Sequence, residues 1–329
     1  MQKVKVLTIG DVHIKVNNIP ECTEMISRLV DLAKKESPDF IVCLGDVLDR
    51  HSNIHVQCLI LAEKLTQAMS EIAPFFLLVG NHDRPNNSNF LTEEHPFNAM
   101  KKWDNVTIVD TTVEYFFKDY RFILVPYVPP GMFDKALQTI SDPYENVTAY
   151  FAHQEFEGAK MGAIVSQCGD KWSPEKSLCV SGHIHSYDYL QPNMIYTGTP
   201  IQHSFGDSVN NTVSMFTFNE KEWEQERIDL GMIKKVTIYL TPEEVATYVV
   251  PQNKIVKIVI RGEEADIKTI AKLEKIQELK RQGVKIAFKV TQSTEVSTST
   301  LPKMPYKDRL YQEMRKDLYS LMWFNKLFK

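Results

Sequence analysis

Five predicted strands of this chain end in side chains that can bind a metal. They cover residues 4–10, 40–45, 75–80, 147–153 and 178–183, and all but the fourth end in or next to a glycine that lets the backbone turn sharply. The polar residues at or after their ends are Asp11 and His13, Asp46 and Asp49, Asn81 with His82 and Asp83, His153, and His183 with His185. A single such histidine is more often structural, but five of the nine histidines fall here. The pattern predicts a metal site where strand ends meet.

The arrangement of the elements predicts an α/β fold. Helical stripes over 21–36 and 55–69 separate the first three strands, which gives a β-α-β-α-β order. Further strands are predicted at 106–110, 121–128, 193–198 and 212–219, and this later part has a more antiparallel character. We therefore expect a four-layer α/β/β/α sandwich over residues 1–232.

The C-terminal part has a different composition. Strands over 253–262 and 284–290 enclose a charged helix over 263–282, so residues 233–292 are expected to form a small β-α-β capping domain. A Ser/Thr/Pro-rich linker follows over 293–305. The last segment, 306–329, is predicted to be a helix that either packs on its own domain or binds a partner.

The charge is divided unevenly between these parts. Residues 1–232 hold 19 Lys/Arg against 31 Asp/Glu, a net charge of −12, whereas residues 233–329 hold 19 against 11, a net charge of +8. The basic part suits a polyanion or an acidic partner, or it is a solvated surface of opposite sign.

Cysteine usage and the N-terminus favour an intracellular protein. The five cysteines form no C-x-x-C pair, and Cys43 and Cys58 lie in apolar runs, which predicts buried thiols in a reducing compartment such as cytoplasm or nucleus. The N-terminus is too short and polar for a signal peptide, so neither secretion nor membrane association is expected.

The types of donor group limit which metal can bind, and a residue next to one of the ligands is a candidate catalyst. Carboxylate, imidazole and amide groups without cysteine suit Mn²⁺, Fe or Zn²⁺ rather than a structural zinc. His82 follows the candidate ligand Asn81 directly, so it is a candidate general acid or charge stabiliser for a leaving oxygen.

These residues resemble the calcineurin-like metallophosphoesterase superfamily, whose pattern is D-x-H, G-D, G-N-H-(D/E), H and G-H-x-H. The resemblance covers residues 8 to about 200 and implies two bound divalent metals. By that pattern, one metal is held by Asp11, His13, Asp46 and His185, and the other by Asp46 as the bridging ligand, Asn81, His153 and His183.

Within the superfamily the chain most resembles the SbcD-type nuclease subunit of double-strand-break repair complexes, including phage and viral versions. The segments at 123–131 and 196–207 and the unit at 253–290 are similar to parts of that group. The resemblance implies Mn²⁺-dependent DNA cleavage, a capping domain that orients DNA, and a homodimer. It also implies a C-terminal helix that clamps the coiled coil of an SbcC-type ATPase.

One departure leaves a second function open. Many SbcD-type nucleases have a histidine where this chain has Asp49, and protein phosphatases have an aspartate there that orients the histidine of G-N-H-E. Asp49 is therefore expected to pair with His82, Arg50 either contacts phosphate or is solvated, and His51 is a candidate for the missing histidine. The alternatives are a phosphodiesterase or protein phosphatase that acts on a non-DNA phosphoester, or a non-catalytic scaffold.

Overall fold

The computed structural model of the chain describes residues 2–51, 53–162, 164–220 and 222–291, with Tyr311 and Met314. The predicted linker over 293–305 lies outside the described residues. So does the predicted helix over 306–329, apart from Tyr311 and Met314, which are helical.

In the described part, helices separate the first three strands, and the seventh to fifteenth strands then follow one another without a helix between them. The strands are β1 Val4–Ile9, β2 Phe40–Cys43, β3 Phe75–Leu78, β4 Val106–Val109, β5 Val113–Phe117, β6 Tyr120–Val125, β7 Ala149–His153, β8 Lys160–Met161, β9 Ile164–Val165, β10 Leu178–Gly182, β11 Asp188–Gln191, β12 Met194–Tyr196, β13 Val213–Phe218, β14 Trp223–Ile228, β15 Lys234–Leu240, β16 Lys254–Gly262 and β17 Lys285–Val290. The α-helices are α1 Ile19–Glu36, α2 Val56–Ser70, α3 Phe133–Leu137, α4 Pro242–Val245, α5 Glu264–Ile270 and α6 Glu274–Arg281. Single 3-10 turns cover Val16–Asn18 and Asn98–Lys102.

Two six-stranded sheets form the main body. The first has the order β14-β13-β1-β2-β3-β4 and is parallel from β1 to β4. The second has the order β11-β12-β10-β7-β6-β5, with four parallel strands in the middle and an antiparallel strand at each edge. The later strands are therefore less antiparallel than the sequence suggested, because long crossovers rather than hairpins join the central ones.

Strand alternation creates three separate hydrophobic layers. In β1, Leu7 and Ile9 face α1 and α2, whereas Val4 and Val6 face the second sheet. The outer face of the second sheet packs against the short helix α3 and against irregular segments that include Trp172. This is the expected four-layer α/β/β/α sandwich, with the fourth layer built mainly from loops.

A separate three-stranded parallel sheet follows, in the order β15-β16-β17. The sequence predicted one helix over 263–282, but the chain forms α5 and α6 with a break before Glu274. The break lets Ile267 and Ile276 pack on the same small core. The apolar spacing continues across this break, so periodicity alone did not reveal it. Strand β15 was not predicted.

The sequence analysis also predicted buried, unpaired thiols and no association with a membrane. All five cysteines are unpaired, and all but Cys168 are buried. Among them are Cys43 and Cys58, whose burial the apolar sequence context predicted. Among the described residues, no helix combines the length and apolarity needed to cross a bilayer.

The aromatic cluster between the two sheets gives a stability prediction. The ring of Phe40 lies 5.0 Å from that of Phe122 and 6.2 Å from that of Phe151, centroid to centroid. We expect Phe40→Ala to lower the free energy of unfolding by about 3–5 kcal/mol, because it leaves a cavity between the sheets. Phe116→Ala, at a ring that is 62% exposed, should change it by no more than about 0.5 kcal/mol. Urea unfolding of both variants tests this, and equal losses would contradict it.

Candidate metal centre

The carboxyl ends of five parallel strands meet at one edge of the two sheets. These strands are β1, β2 and β3 of the first sheet, and β7 and β10 of the second. The seven predicted ligands gather there, as the sequence indicated, and all but the half-exposed His185 are largely buried. The seven are Asp11, His13, Asp46, Asn81, His153, His183 and His185.

The first group of donors comes from β1 and β10. The Nε2 atoms of His13 and His185 lie 3.0 Å apart. An Asp11 carboxylate oxygen lies 4.0 Å from Nε2 of His13 and 3.8 Å from Nε2 of His185. Three donor atoms thus converge on one point.

The second group comes from β3, β7 and β10. The Asn81 side-chain oxygen lies 2.9 Å from Nδ1 of His183 and 3.0 Å from Nε2 of His153. Asp46 links the groups, because its Oδ2 lies 3.4 Å from Nε2 of His153 and 3.6 Å from Nε2 of His13. This is the position that the resemblance assigned to a bridging carboxylate.

The backbone is strained where these ligands sit. His13, Asp46 and His183 have φ values of 46°, 49° and 78°, in the left-handed region that residues with a Cβ atom seldom adopt. A Cβ atom on Gly80 would lie 2.2 Å from Oδ1 of Asp46, and one on Gly45 would lie 2.6 Å from Nδ1 of His153. The glycines of the motifs therefore permit the close approach of neighbouring strand ends.

Asp83 fixes the loops after β2 and β3 relative to each other. Its buried carboxylate accepts hydrogen bonds from the backbone N–H groups of Val47, Leu48 and Gly80, at 3.3, 2.9 and 3.0 Å. Asp46 and Asn81 lie next to these anchored positions. The sequence pattern included Asp83 but gave it no role, because two of its three partners are backbone groups 35 and 36 residues away in the chain.

Burial and charge set the protonation of the imidazoles. Burial lowers the pKa of His183 to about 3, which leaves the ring neutral and able to bind a metal. Burial alone would also lower the pKa of His153, but the carboxylates of Asp46 and Asp11 outweigh it and raise the pKa to about 9. The two buried carboxylates thus draw positive charge into the site.

This donor set fits divalent cations. Among the described residues, the ion-pair partners of Asp11 and Asp46 are histidines only, without a lysine or an arginine. Nitrogen and oxygen donors converge in three overlapping groups, one of which joins His82 to His13 and Asp46, and none of the three contains a cysteine. Such sets suit Mn²⁺, Fe or Zn²⁺.

His82 lies beside both donor groups and is held at two points. Its backbone N–H donates to Oδ1 of Asp46 at 2.8 Å, and its ring lies 4.8 Å from that of His13. Its Nδ1 donates to the backbone carbonyl of Asp49 at 2.9 Å. The expected pairing with Asp49 therefore uses the main chain, because the Asp49 carboxylate faces Lys15 at 3.2 Å instead.

His51 stacks on His82 and makes a matching contact with the backbone of the opposite loop. The sequence analysis named it only as a candidate for the missing histidine. Its ring stacks on that of His82 at 4.6 Å, with an interplanar angle of 20°, and its Nδ1 donates to the Arg84 carbonyl at 3.2 Å. The loops after β2 and β3 thus each place an imidazole against a carbonyl of the other. Arg50 is exposed at the rim of a neighbouring cleft of about 480 Å³, so its phosphate contact stays a prediction.

His203 is a residue of the site that sequence reasoning missed. Its Nε2 donates to the Asp11 carbonyl at 3.1 Å, and its ring lies 4.9 Å from that of His13 and 5.3 Å from that of His185. It follows no predicted strand end, because a loop after β12 carries it back across the site. No signal in the strand-end pattern could have found it.

Comparison with known proteins agrees with this geometry. "Putative phosphoesterase 078R" of Invertebrate iridescent virus 3 is 41% identical over 306 residues, covering 91% of this chain and 88% of that protein. "Putative phosphoesterase 244L" of Invertebrate iridescent virus 6 is 39% identical over 282 residues, covering 83% and 99%. "DNA double-strand break repair protein Mre11" of Saccharolobus solfataricus is 28% identical over 133 residues, covering 38% and 34%.

The family model described as calcineurin-like phosphoesterase matches residues 4–262, from β1 to the end of β16. That range contains every strand end that supplies a donor to the centre. It also spans more than half of the chain, and the two viral phosphoesterases match along most of their length. The chain belongs to the calcineurin-like phosphoesterase family.

Proposed function

We propose that this phosphoesterase is a DNA nuclease that cleaves phosphodiester bonds with the help of two divalent ions. Mn²⁺ is the ion that we propose first. The observation that carries the proposal is the position of His82. Its ring lies 4.8 Å from that of His13 and groups with His13 and the shared carboxylate of Asp46, and its Nδ1 donates to a backbone carbonyl. The partial similarity to a double-strand-break repair protein supports DNA as the substrate.

The residues that would hold the ions are the two donor groups described above, with Asp46 common to both. Bound divalent ions supply Lewis-acid polarisation of a phosphoryl group and lower the pKa of water. The chain itself fixes the donors through strained backbone and through Asp83, so little rearrangement is needed when substrate arrives.

His82 supplies the proton chemistry that the ions do not. Because Nδ1–H donates to the Asp49 carbonyl, Nε2 is the ring atom left for substrate. When the ring is doubly protonated, Nε2–H can give its proton to a leaving oxygen, which leaves the neutral Nδ1–H imidazole. The stacked His51 ring limits rotation of His82. The protein thus presents one oriented imidazole next to the reacting phosphate.

A phosphatase or phosphodiesterase that acts on a non-DNA phosphoester is the second candidate. The net charge of −12 on residues 1–232 favours it, because an acidic surface repels DNA. The Asp49 carboxylate argues against a phosphatase-type site, since it contacts Lys15 rather than His82. We therefore retain the nuclease as the proposal.

We also propose an SbcC-type ATPase as the partner and a homodimer as the assembly. The predicted C-terminal helix over 306–329 would bind the ATPase coiled coil. Deleting residues 306–328 should abolish co-purification with an SbcC-type ATPase, yet leave hydrolysis of bis-p-nitrophenyl phosphate within about twofold. Retained co-purification would contradict the role of this segment.

Metal binding can be tested through stability. Saturating Mn²⁺ should raise the melting temperature, since a ligand at 100 times its Kd stabilises by about 2.7 kcal/mol. His183→Ala and His183→Gly should both lose most of this rise, because each removes a donor. Without metal, the glycine variant should be the more stable of the two by about 1 kcal/mol, because φ at this position is 78°. His55→Ala, at the exposed start of α2, is the control and should keep the full rise.

The catalytic role of His82 can be separated from metal binding. His82→Ala should lower the turnover of DNA cleavage about 100-fold or more, because the proton donor is lost. The Mn²⁺-induced rise in melting temperature should stay, and His55→Ala should cleave DNA like the wild type. Cleavage by His82→Ala at the wild-type rate would disprove the assigned role. Hydrolysis of bis-p-nitrophenyl phosphate without any DNA cleavage, even with the ATPase added, would favour the second candidate.

A further inference from the structure

Each histidine ligand of the centre has a second ring nitrogen that faces away from the donors. An imidazole that binds a metal through one nitrogen carries a proton on the other, which we call the outer N–H, and a buried outer N–H needs an acceptor. In His153 this need is met, because Nδ1 donates to the Leu44 carbonyl at 2.7 Å. His185 is half-exposed, so water can accept from it. Among the described residues, no backbone carbonyl accepts from His13 or His183 in this way.

The outer nitrogen of His13 is buried without a hydrogen bond. Its Nε2 faces His185 within the first donor group, and its Nδ1 has no hydrogen-bond partner among the described residues. Leaving such a group unpaired is costly, because it has lost its contact with water. The Asp49 carboxylate lies on that side of the ring, with Oδ1 3.8 Å from Nδ1. This separation is longer than a hydrogen bond, and a shift of about 1 Å would form one.

Asp49 meets the site through its side chain and through its main chain. Its carboxylate is partly shielded from solvent, and Nζ of Lys15 lies 3.2 Å from the same Oδ1 that faces His13. Its backbone carbonyl accepts Nδ1–H of His82 at 2.9 Å. A substitution at this position changes the carboxylate and keeps the carbonyl. The contact with the metal ligand can therefore be tested separately from the contact with the candidate catalyst.

Glu155 stands in the same relation to a ligand of the second donor group. Nδ1 of His183 faces the Asn81 side chain, so Nε2 is the outer nitrogen, and Oε2 of Glu155 lies 4.0 Å from it. The other carboxylate oxygen, Oε1, accepts the Ser166 hydroxyl at 2.5 Å. Ser166 is itself fixed, because its backbone N–H donates to the Ala159 carbonyl at 2.8 Å. Glu155 thus has one oxygen held by the loop and the other beside the histidine.

We propose that Asp49 and Glu155 are positioning residues of the metal centre, each accepting the outer N–H of one histidine ligand. In the first donor group, the outer N–H of His13 goes to Asp49. In the second, that of His183 goes to Glu155. A carboxylate in this place fixes the tautomer and orientation of the ring and makes its other nitrogen a stronger donor to a metal. The inference rests on the two-ion centre of the proposed function and is independent of DNA as the substrate.

The test is Mn²⁺ binding to the full chain without substrate, followed by the electron paramagnetic resonance signal of free Mn²⁺. The wild type should bind two ions, and Asp49→Ala and Glu155→Ala should each weaken one of them by about 10–100-fold. Asp49→Asn and Glu155→Gln keep an oxygen that can accept the outer N–H, so both affinities should stay within about threefold of the wild type. Asp31→Ala and Glu157→Ala remove exposed carboxylates and are the matched controls, with both affinities unchanged.

Double variants assign each carboxylate to its own ion. In a His13→Ala background, Asp49→Ala should cost no further Mn²⁺ affinity, because the N–H that it serves is gone. Glu155→Ala should still weaken the remaining ion by its full factor in that background. In a His183→Ala background, the two carboxylate variants should exchange these roles. A general loss of charge near the centre would instead weaken binding equally in both backgrounds.

Three results would overturn the positioning roles. The first is unchanged Mn²⁺ affinity in the alanine variants, and a lowered turnover of Asp49→Ala alone would then mean that the carboxylate acts on His82 instead. The second is an equal loss in the amide and alanine variants, since only the charge would then matter. The third is the same loss in both histidine backgrounds.

Two controls keep these outcomes readable. Melting temperatures in EDTA show whether each variant folds without metal. If Glu155→Ala does not fold, Ser166→Ala should weaken one ion by a smaller factor, because it releases the carboxylate oxygen that the loop holds. A wild type that binds two Mn²⁺ ions and cleaves no DNA would refute the nuclease function alone. A wild type that does both, with unaffected carboxylate variants, would refute the positioning roles alone.

Discussion

The burial of the Asp46 carboxylate is the constraint on which the site depends. Placing a carboxylate away from water costs several kcal/mol unless positive charge or hydrogen bonds compensate it. One oxygen of Asp46 accepts the backbone N–H of His82, and the other faces an imidazole of each donor group. Burial raises the pKa of this carboxyl, whereas the charge of His153 lowers it. The strained backbone at the ligands and the closely packed glycines serve to bring donors to this carboxylate. Two divalent ions would complete the compensation.

The same constraint explains why so many hydrogen bonds join the loops after β2 and β3. Asp83 ties three backbone N–H groups of two loops, and His51 and His82 each donate to a carbonyl of the opposite loop. These bonds join the ends of neighbouring strands, so a shift of one loop would displace donors on the other. A site held in this way favours substrate positioning over rearrangement. Family membership and geometry therefore agree on a phosphoesterase, and the oriented His82 gives the reason to expect efficient proton transfer.

Charge is divided unevenly between the acidic part over residues 1–232 and the basic C-terminal part. The acidic part concentrates carboxylates where cations bind. The basic part places lysines and an arginine on one face of the three-stranded sheet, beside the exposed ring of Tyr239. The overall net charge of −4 hides this division.

Local pattern was enough to predict much of this protein. The alternation of apolar strands with amphipathic helices predicted the layers. The polar strand ends predicted where the candidate ligands meet, because parallel strand ends lie at one edge, and the family resemblance selected the seven donors among them. The sequence also indicated His82. It did not indicate His203, the backbone role of Asp83, the turn of Asp49 towards Lys15, or the break between α5 and α6. Each of these depends on contacts between residues distant in sequence, and only the folded chain decides which backbone group or cavity a side chain meets. The cationic face of the three-stranded sheet likewise required the strand register, because the sequence alone does not show which residues share a face.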